Sequence, residues 1–166
     1  MAAVIVDKIS VRDSIYVGID PGASGGIVAI GPDNKVLVHA KCPSTVHDLA
    51  DIYRDICELP GRYDNCSIKA CIEAVHSMPG QGVKSCFSFG TNYGMHLGLL
   101  ASNRISYSTV TPHKWMSHFG SRPKDKTARK NHLKQLAQQL YPNTDRPIIL
   151  ATSDAVLIAH YCMTKQ

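Results

Sequence analysis

The stretch Tyr16-Val17-Gly18-Ile19-Asp20-Pro21-Gly22-Ala23-Ser24-Gly25-Gly26-Ile27-Val28-Ala29-Ile30 constrains this chain more than any other. An apolar run ends in a single carboxylate, a Gly/Pro turn follows, and a second apolar run begins. That order predicts a tight β-hairpin with Asp20 at the end of a buried strand. Strand residues alternate faces, so Tyr16, Gly18 and Asp20 share one side and Val17 and Ile19 the other. A carboxylate aimed from a rigid strand into a glycine-lined opening suits a metal ion, or lies where a phosphate can approach bare backbone. The plainer reading is a solvated Asp opening an ordinary turn, and this segment alone leaves both open.

The remaining elements follow from hydrophobic period and turn residues. Strands are expected at about 15–20, 25–31 and 35–40, the last two joined by Pro32-Asp33-Asn34, as an antiparallel meander. A helix over 45–59 carries Val46, Leu49, Ile52, Tyr53 and Ile56 on one stripe, with Ser44 as N-cap and Pro60-Gly61 as its stop. A fourth strand spans 68–75 and leads into a Gly/Pro loop, 76–82. A long helix covers about 84–103, a fifth strand 106–110, and a turn over 111–119 holds the only tryptophan, Trp115. A helix over about 124–140 presents Leu133, Leu136, Ala137 and Leu140 inward, with Lys126, Lys130 and Lys134 on one outer face. A last helix runs from about 153 to 162. Three meandering strands followed by alternating helices and strands predict an α/β fold with a five-stranded mixed sheet flanked by helices.

With 166 residues the chain suits one domain over 1–166, with 1–14 as a short N-terminal extension. That extension carries Asp7, Lys8, Arg12 and Asp13 and does not look like a signal peptide. No apolar run is long enough to span a membrane. The six cysteines form no CxxC pair and several sit in apolar runs, which argues for packed thiols in a reducing intracellular compartment and against a zinc site. Net charge is +5, and six of the 18 Lys and Arg fall at Arg122, Lys124, Lys126, Arg129, Lys130 and Lys134. Only Asp125 opposes them there. So dense a cluster is either a solvated helix face or the footprint of a polyanion, and its one-sidedness favours nucleic acid.

Two further acids sit in apolar surroundings. Glu73 ends Ala70-Cys71-Ile72-Glu73, where a carboxylate is costly without a partner. Asp154 stands near the start of the last helix, where capping and the helix dipole offer a plain structural role. If strands 1 and 4 are parallel neighbours, Asp20 and Glu73 converge at one sheet end. Three carboxylates meeting there repel one another unless cations lie between them. Mg²⁺ fits, because it takes oxygen ligands and keeps positions for water and phosphate. Two such ions about 3.5–4 Å apart serve phosphodiester cleavage.

These features occur in an order that resembles a family. Gly18-Ile19-Asp20-Pro21-Gly22, Ile72-Glu73 with its loop to Gly82, Phe87-Ser88-Phe89-Gly90, Thr111-Pro112 with Trp115, the basic helix, and Asp154-Ala155 together look like a RuvC-type Holliday-junction resolvase, nearest in pattern to phage and plastid members. The resemblance spans about residues 14–163. It implies an RNase H-like fold, a homodimer, and paired nicks in a four-way DNA junction. It implies no small-molecule cofactor, but two Mg²⁺ ions, with Mn²⁺ able to substitute, held by Asp20, Glu73 and Asp154. Lys126 matches a basic residue near the scissile phosphate. Phe87 and Phe89 correspond to residues at the junction centre, able to stack on an unpaired base, although core or dimer packing accounts for them equally. Lys84, Lys114, Lys124, Arg129 and Lys130 complete the implied DNA surface.

The chain departs from that pattern twice. Relatives carry an acid or a histidine three or four residues before the Asp154 position, where this chain has Ala151 and Leu150. They often carry a lysine just after the tryptophan, where this chain has Met116. The first departure weakens one metal position and leaves open a non-cleaving module that grips branched DNA or structured RNA, or sits in a larger assembly. A third reading, a phosphotransferase or ATPase, rests on the likeness of Gly18-Ile19-Asp20-Pro21-Gly22 to the first phosphate loop of sugar kinases. No second phosphate loop accompanies it.

Overall fold

A computed structural model describes residues 14–64, 66–74, 76 and 80–165. Residues 1–13 of the expected 1–14 extension and the expected last strand residue, Val75, lie outside the described residues, and Ser14 already belongs to the first strand. Five strands, β1 (Ser14–Asp20), β2 (Gly26–Ile30), β3 (Val36–Lys41), β4 (Ser67–Glu73) and β5 (Ser106–Val110), form one sheet in the order β3-β2-β1-β4-β5. β1 pairs antiparallel with β2, and β2 with β3; β4 runs parallel to both β1 and β5. The meander and the parallel β1–β4 pair match the sequence expectation. Asn34 makes the β2–β3 turn possible at φ 63°, a left-handed conformation that Asn tolerates better than most residues.

Alternation along β1 separates two cores. Ile15, Val17 and Ile19 pack with Ile27, Ala29, Ala70 and Ile72 beneath helix α1 (Val46–Glu58) and the end of α2 (Val83–Ser102). Tyr16, with Val28, Ile30 and Cys71, faces the other way onto α5 (Leu150–Thr164), which α3 (Pro112–Ser117) and α4 (Lys126–Leu140) cover in turn. α5 is buried along most of its length, from Ala155 to Ala159 without a break. α2 is the opposite case: His96 and Leu100 are its buried residues.

Several local expectations are corrected. Thr45, not Ser44, caps α1: its hydroxyl accepts from the Asp48 N–H at 3.1 Å and donates to the Asp48 carboxylate at 2.6 Å. Val46 stands half exposed, outside the buried stripe of Leu49, Tyr53 and Ile56. α4 starts two residues late because Asp125 caps it, accepting from the Ala128 N–H at 2.8 Å. The 111–119 turn contains a helix, α3, capped by Thr111 with Pro112 in its first position. α5 begins three residues early, where Thr152 and Ile149 bond reciprocally at its N-terminus. The fourth strand ends at Glu73.

α5 can lie on β1 because residue 18 is glycine. A Cβ there would strike the Ala155 carbonyl oxygen and the Ala159 amide, both backbone atoms that yield only if the helix moves. Gly18→Ala is expected to destabilise the chain by about 1–3 kcal/mol, the usual range for overpacking. Thermal unfolding measures this directly, and an unchanged midpoint would mean that α5 has room to retreat.

Candidate functional site

Three elements end at one place. Asp20 closes β1 opposite Gly26, and its Oδ1 accepts from the Gly22 N–H at 3.2 Å. The Gly25 N–H bonds the Gly22 carbonyl at 2.9 Å, folding the turn back over the carboxyl. Gly25 has to be glycine, since a Cβ would collide with the Asp20 backbone and carboxyl carbon. Glu73 closes β4, and the parallel register Ile19↔Ile72 sets it next to Asp20. Asp154 comes from the second turn of α5, which passes over Gly26 at Ala151 and Thr152 and over Gly18 one turn further on. The early start of α5 overturns the capping role for Asp154, since no acid lies in its first turn. The solvated-turn reading of Asp20 also falls, because its carboxyl is half-buried and accepts from the Gly22 N–H.

The electrostatics show that the three carboxyls feel one another. Burial pushes Glu73 up to about 7; the Trp115 N–H opposes this, and the charges of Asp20 and Asp154 add to it. Burial, then the Asp20 charge, pushes Asp154 up to about 6, against Lys130, Ser153 and Arg129. Burial also raises Asp20, opposed by the Gly22 N–H and by Lys130. Trp115 is nearly fully buried, and its Nε1–H donates to Glu73 Oε2 at 2.6 Å. A buried carboxyl meets an indole donor here, which fixes its orientation. The sequence motif contained this tryptophan, but no local pattern marked it as the partner of an acid 42 residues away.

The basic residues divide into two groups. Lys130 and Arg129 act on the carboxyls, Lys130 on both Asp20 and Asp154 and Arg129 on Asp154. Lys126 lies one turn earlier on the same face of α4, and Lys124 precedes the helix, its carbonyl accepting from the Arg129 guanidinium at 3.1 Å. Lys84, Lys114, Lys124 and Lys126 are exposed. Phe87 and Phe89 are not core residues: both are exposed on the first half of α2, at 77% and 40%. The Phe89 ring edge comes within 4.0 Å of where a Gly22 Cβ would be, so this ring borders the Asp20 turn.

The donor chemistry fits a divalent cation, since raised and mutually repelling carboxyls gain from one. Among the described residues no three His, Cys, Asp or Glu side chains converge as a ready-made metal cage. An ion that keeps most of its waters needs only one or two carboxylates. Ala151 supplies no ligand atom from its side chain.

A stability consequence follows from the raised values. Each carboxyl binds its proton more tightly folded than unfolded, so between the ordinary carboxylate range and these values the folded state holds more protons. Stability therefore falls as pH rises through this window, and the loss is complete above about 7. Glu73→Gln keeps an oxygen for Trp115 and removes the charge. It is expected to raise the melting temperature at pH 8, by ~2–4 °C for each kcal/mol recovered, and to leave it unchanged at pH 4. Calorimetry at the two pH values checks this; an equal shift at both would place the effect elsewhere than in the charge.

No protein-family model matches the chain, and no curated protein sequence does. Solved structures do. RuvC from Thermus thermophilus in complex with a Holliday junction substrate is 15% identical, with a TM-score of 0.57 over 89% of this chain and 91% of that one. A second T. thermophilus RuvC structure gives the same identity and TM-score over 89% and 92%. The yeast mitochondrial Holliday junction resolvase Ydc2 is 12% identical, with a TM-score of 0.44 over 92% and 78%. Identities this low speak for the fold. The chain shares its fold with T. thermophilus RuvC, a five-stranded mixed sheet flanked by helices.

Proposed function

We propose that this chain is a divalent-cation-dependent nuclease that acts as a homodimer and resolves four-way DNA junctions by paired, symmetric nicks. The observation that carries this reading is the set of three half-buried carboxyls at one sheet end, destabilised by burial and by each other, beside the cations of α4. Asp20, Glu73 and Asp154 would hold Mg²⁺, as two ions with Mn²⁺ able to substitute, which would supply a nucleophilic water and neutralise charge at the phosphate. The chain's own groups do the rest. The Gly22 and Trp115 N–H groups orient Asp20 and Glu73. Lys130 and Arg129 offset carboxyl charge and, with Lys124 and Lys126, would draw the phosphate backbone to the site without reading sequence. Lys126 would stabilise charge at the scissile phosphate. Lys84 and Lys114 would extend the same basic surface. Phe87, the most exposed of the aromatics on α2, is available to stack on an unpaired base. Paired nicks call for two copies, and Gly90, Gly94 and Gly98 leave an open face on α2 that a second helix can approach closely.

A second reading is a junction-binding module that does not cut. Ala151, in the first turn of α5, and the absence of a ready-made cage among the described residues favour it.

A labelled four-way junction, incubated with Mg²⁺ and then with Mn²⁺, separates the two. Symmetric nicks from the chain as it stands are expected. Binding without cutting, rescued by Ala151→Asp, would instead identify a fold that has lost one ligand, and no junction binding would overturn both readings. Asp20→Asn is expected to abolish cleavage and to keep junction binding; loss of binding as well would make Asp20 a structural residue. Lys126→Ala with Lys130→Ala is expected to weaken binding to all junction sequences alike and to lower the salt slope by roughly one unit per phosphate contact. A loss confined to one sequence would argue against backbone contact.

A further inference from the structure

On the α1–α2 side of the sheet, three polar side chains that the proposed chemistry leaves unused meet in a line. Tyr53 comes from α1 and is fully buried; His96 comes from α2 and is 2% exposed; Cys42 follows the last residue of β3. The Tyr53 hydroxyl lies 3.0 Å from His96 Nδ1. His96 Nε2 lies 3.7 Å from the Cys42 sulfur, and that sulfur lies 3.3 Å from the backbone carbonyl oxygen of Asp20. The Cys42 amide also donates to the Gly25 carbonyl at 3.0 Å, so Cys42 grips the Asp20 turn at two points.

Donor arithmetic gives this line a single direction. A carbonyl only accepts, so the Cys42 S–H donates to Asp20. A thiol has one hydrogen, so toward His96 the sulfur accepts and Nε2 carries the imidazole proton. A neutral imidazole then accepts at Nδ1, and the Tyr53 hydroxyl donates there. Burial favours the neutral imidazole and the neutral phenol: it pulls His96 down to about 4 and raises Tyr53.

We propose that His96 and Cys42 are positioning residues, through which a one-way hydrogen-bond relay from Tyr53 holds the Asp20 end of β1 in a fixed relation to α2. Two further observations fit this role. His96 is buried on α2 among apolar residues, Leu100 with Tyr93, Met95, Leu97 and Leu99, so the relay adds a polar tie to the apolar packing of that helix. Phe89, two turns before His96, borders the same turn from the α2 side. The helix that would meet DNA and the strand end that would hold metal therefore share one polar anchor. The functional part of this claim rests on the proposed nuclease reading; the structural part does not.

The test pairs a spectroscopic signature with a rescue. Nitrogen-edited NMR of the imidazole is expected to show His96 neutral and protonated at Nε2 at pH 7; protonation at Nδ1 would overturn the relay. Cys42→Ala is expected to speed hydrogen exchange at the Gly22 and Gly25 amides about tenfold, the scale of one net hydrogen bond, with β2 amides 27–30 unchanged. Cys42→Ser, which restores a donor, is expected to bring the rate back. Exchange that is unchanged, or that accelerates across the whole sheet, would reduce Cys42 to ordinary packing and overturn the proposal. On a cleaving protein, Cys42→Ala is expected to lower the single-turnover rate about tenfold at unchanged junction affinity, the mark of a misplaced group rather than a lost contact. A wild type that does not cleave would overturn the nuclease reading alone, since tautomer and exchange still decide the relay.

Discussion

The close seating of α5 on β1 is the constraint on which the rest of this structure depends. It requires a strand without a side chain at position 18 and a helix with small residues, Ala155 and Ala159, at the point of contact. Once helix and strand meet backbone to backbone, the angular position of every residue on α5 is set. Asp154 then has one place to go, beside the ends of β1 and β4. A larger residue at 18 would push the helix outward and take one of the three carboxyls with it. The geometry of the site is thus a by-product of core packing one turn and two residues away, and packing of that kind has little tolerance for volume change.

The carboxyl cluster works against that packing. Each acid lies where water is scarce and like charge is near, and each is harder to ionise as a result. The fold contains the strain with fixed donors: a turn amide at Asp20, an indole at Glu73 and the cations of α4 near Asp154. Preorganised groups of this kind keep their orientation before any ligand arrives, which is what an electrostatic site requires. Stability given up at such a site is common where function needs unfavourable charge.

Much of this was legible in the sequence, for local reasons. The hairpin at Asp20 is written in alternation and turn residues that lie within fifteen positions, and its facing pattern follows from period two alone. Glu73 stood out because an acid in an apolar strand demands a partner. What escaped was either ambiguous or distant. Ser44 and Thr45 are both good caps, and only geometry chooses between them. The start of α5 was hidden because Ile149, Leu150 and Ala151 lack a polar cap signal. Lys126 and Lys130 share one helix face, so periodicity could not say which of them reaches the acids. The links between Trp115 and Glu73, and among Cys42, Tyr53 and His96, join elements far apart in the chain, and no spacing encodes them.

One detail of the site has an optical consequence. The only tryptophan in the chain spends its single polar hydrogen on Glu73. Indole emission responds to the charge and distance of the group its nitrogen faces. The protein is therefore built with its own fluorophore wired to the carboxyl cluster. A change in the charge, protonation or placement of Glu73 is thus expected to alter the emission of the one tryptophan, with no label and no second tryptophan to dilute the signal.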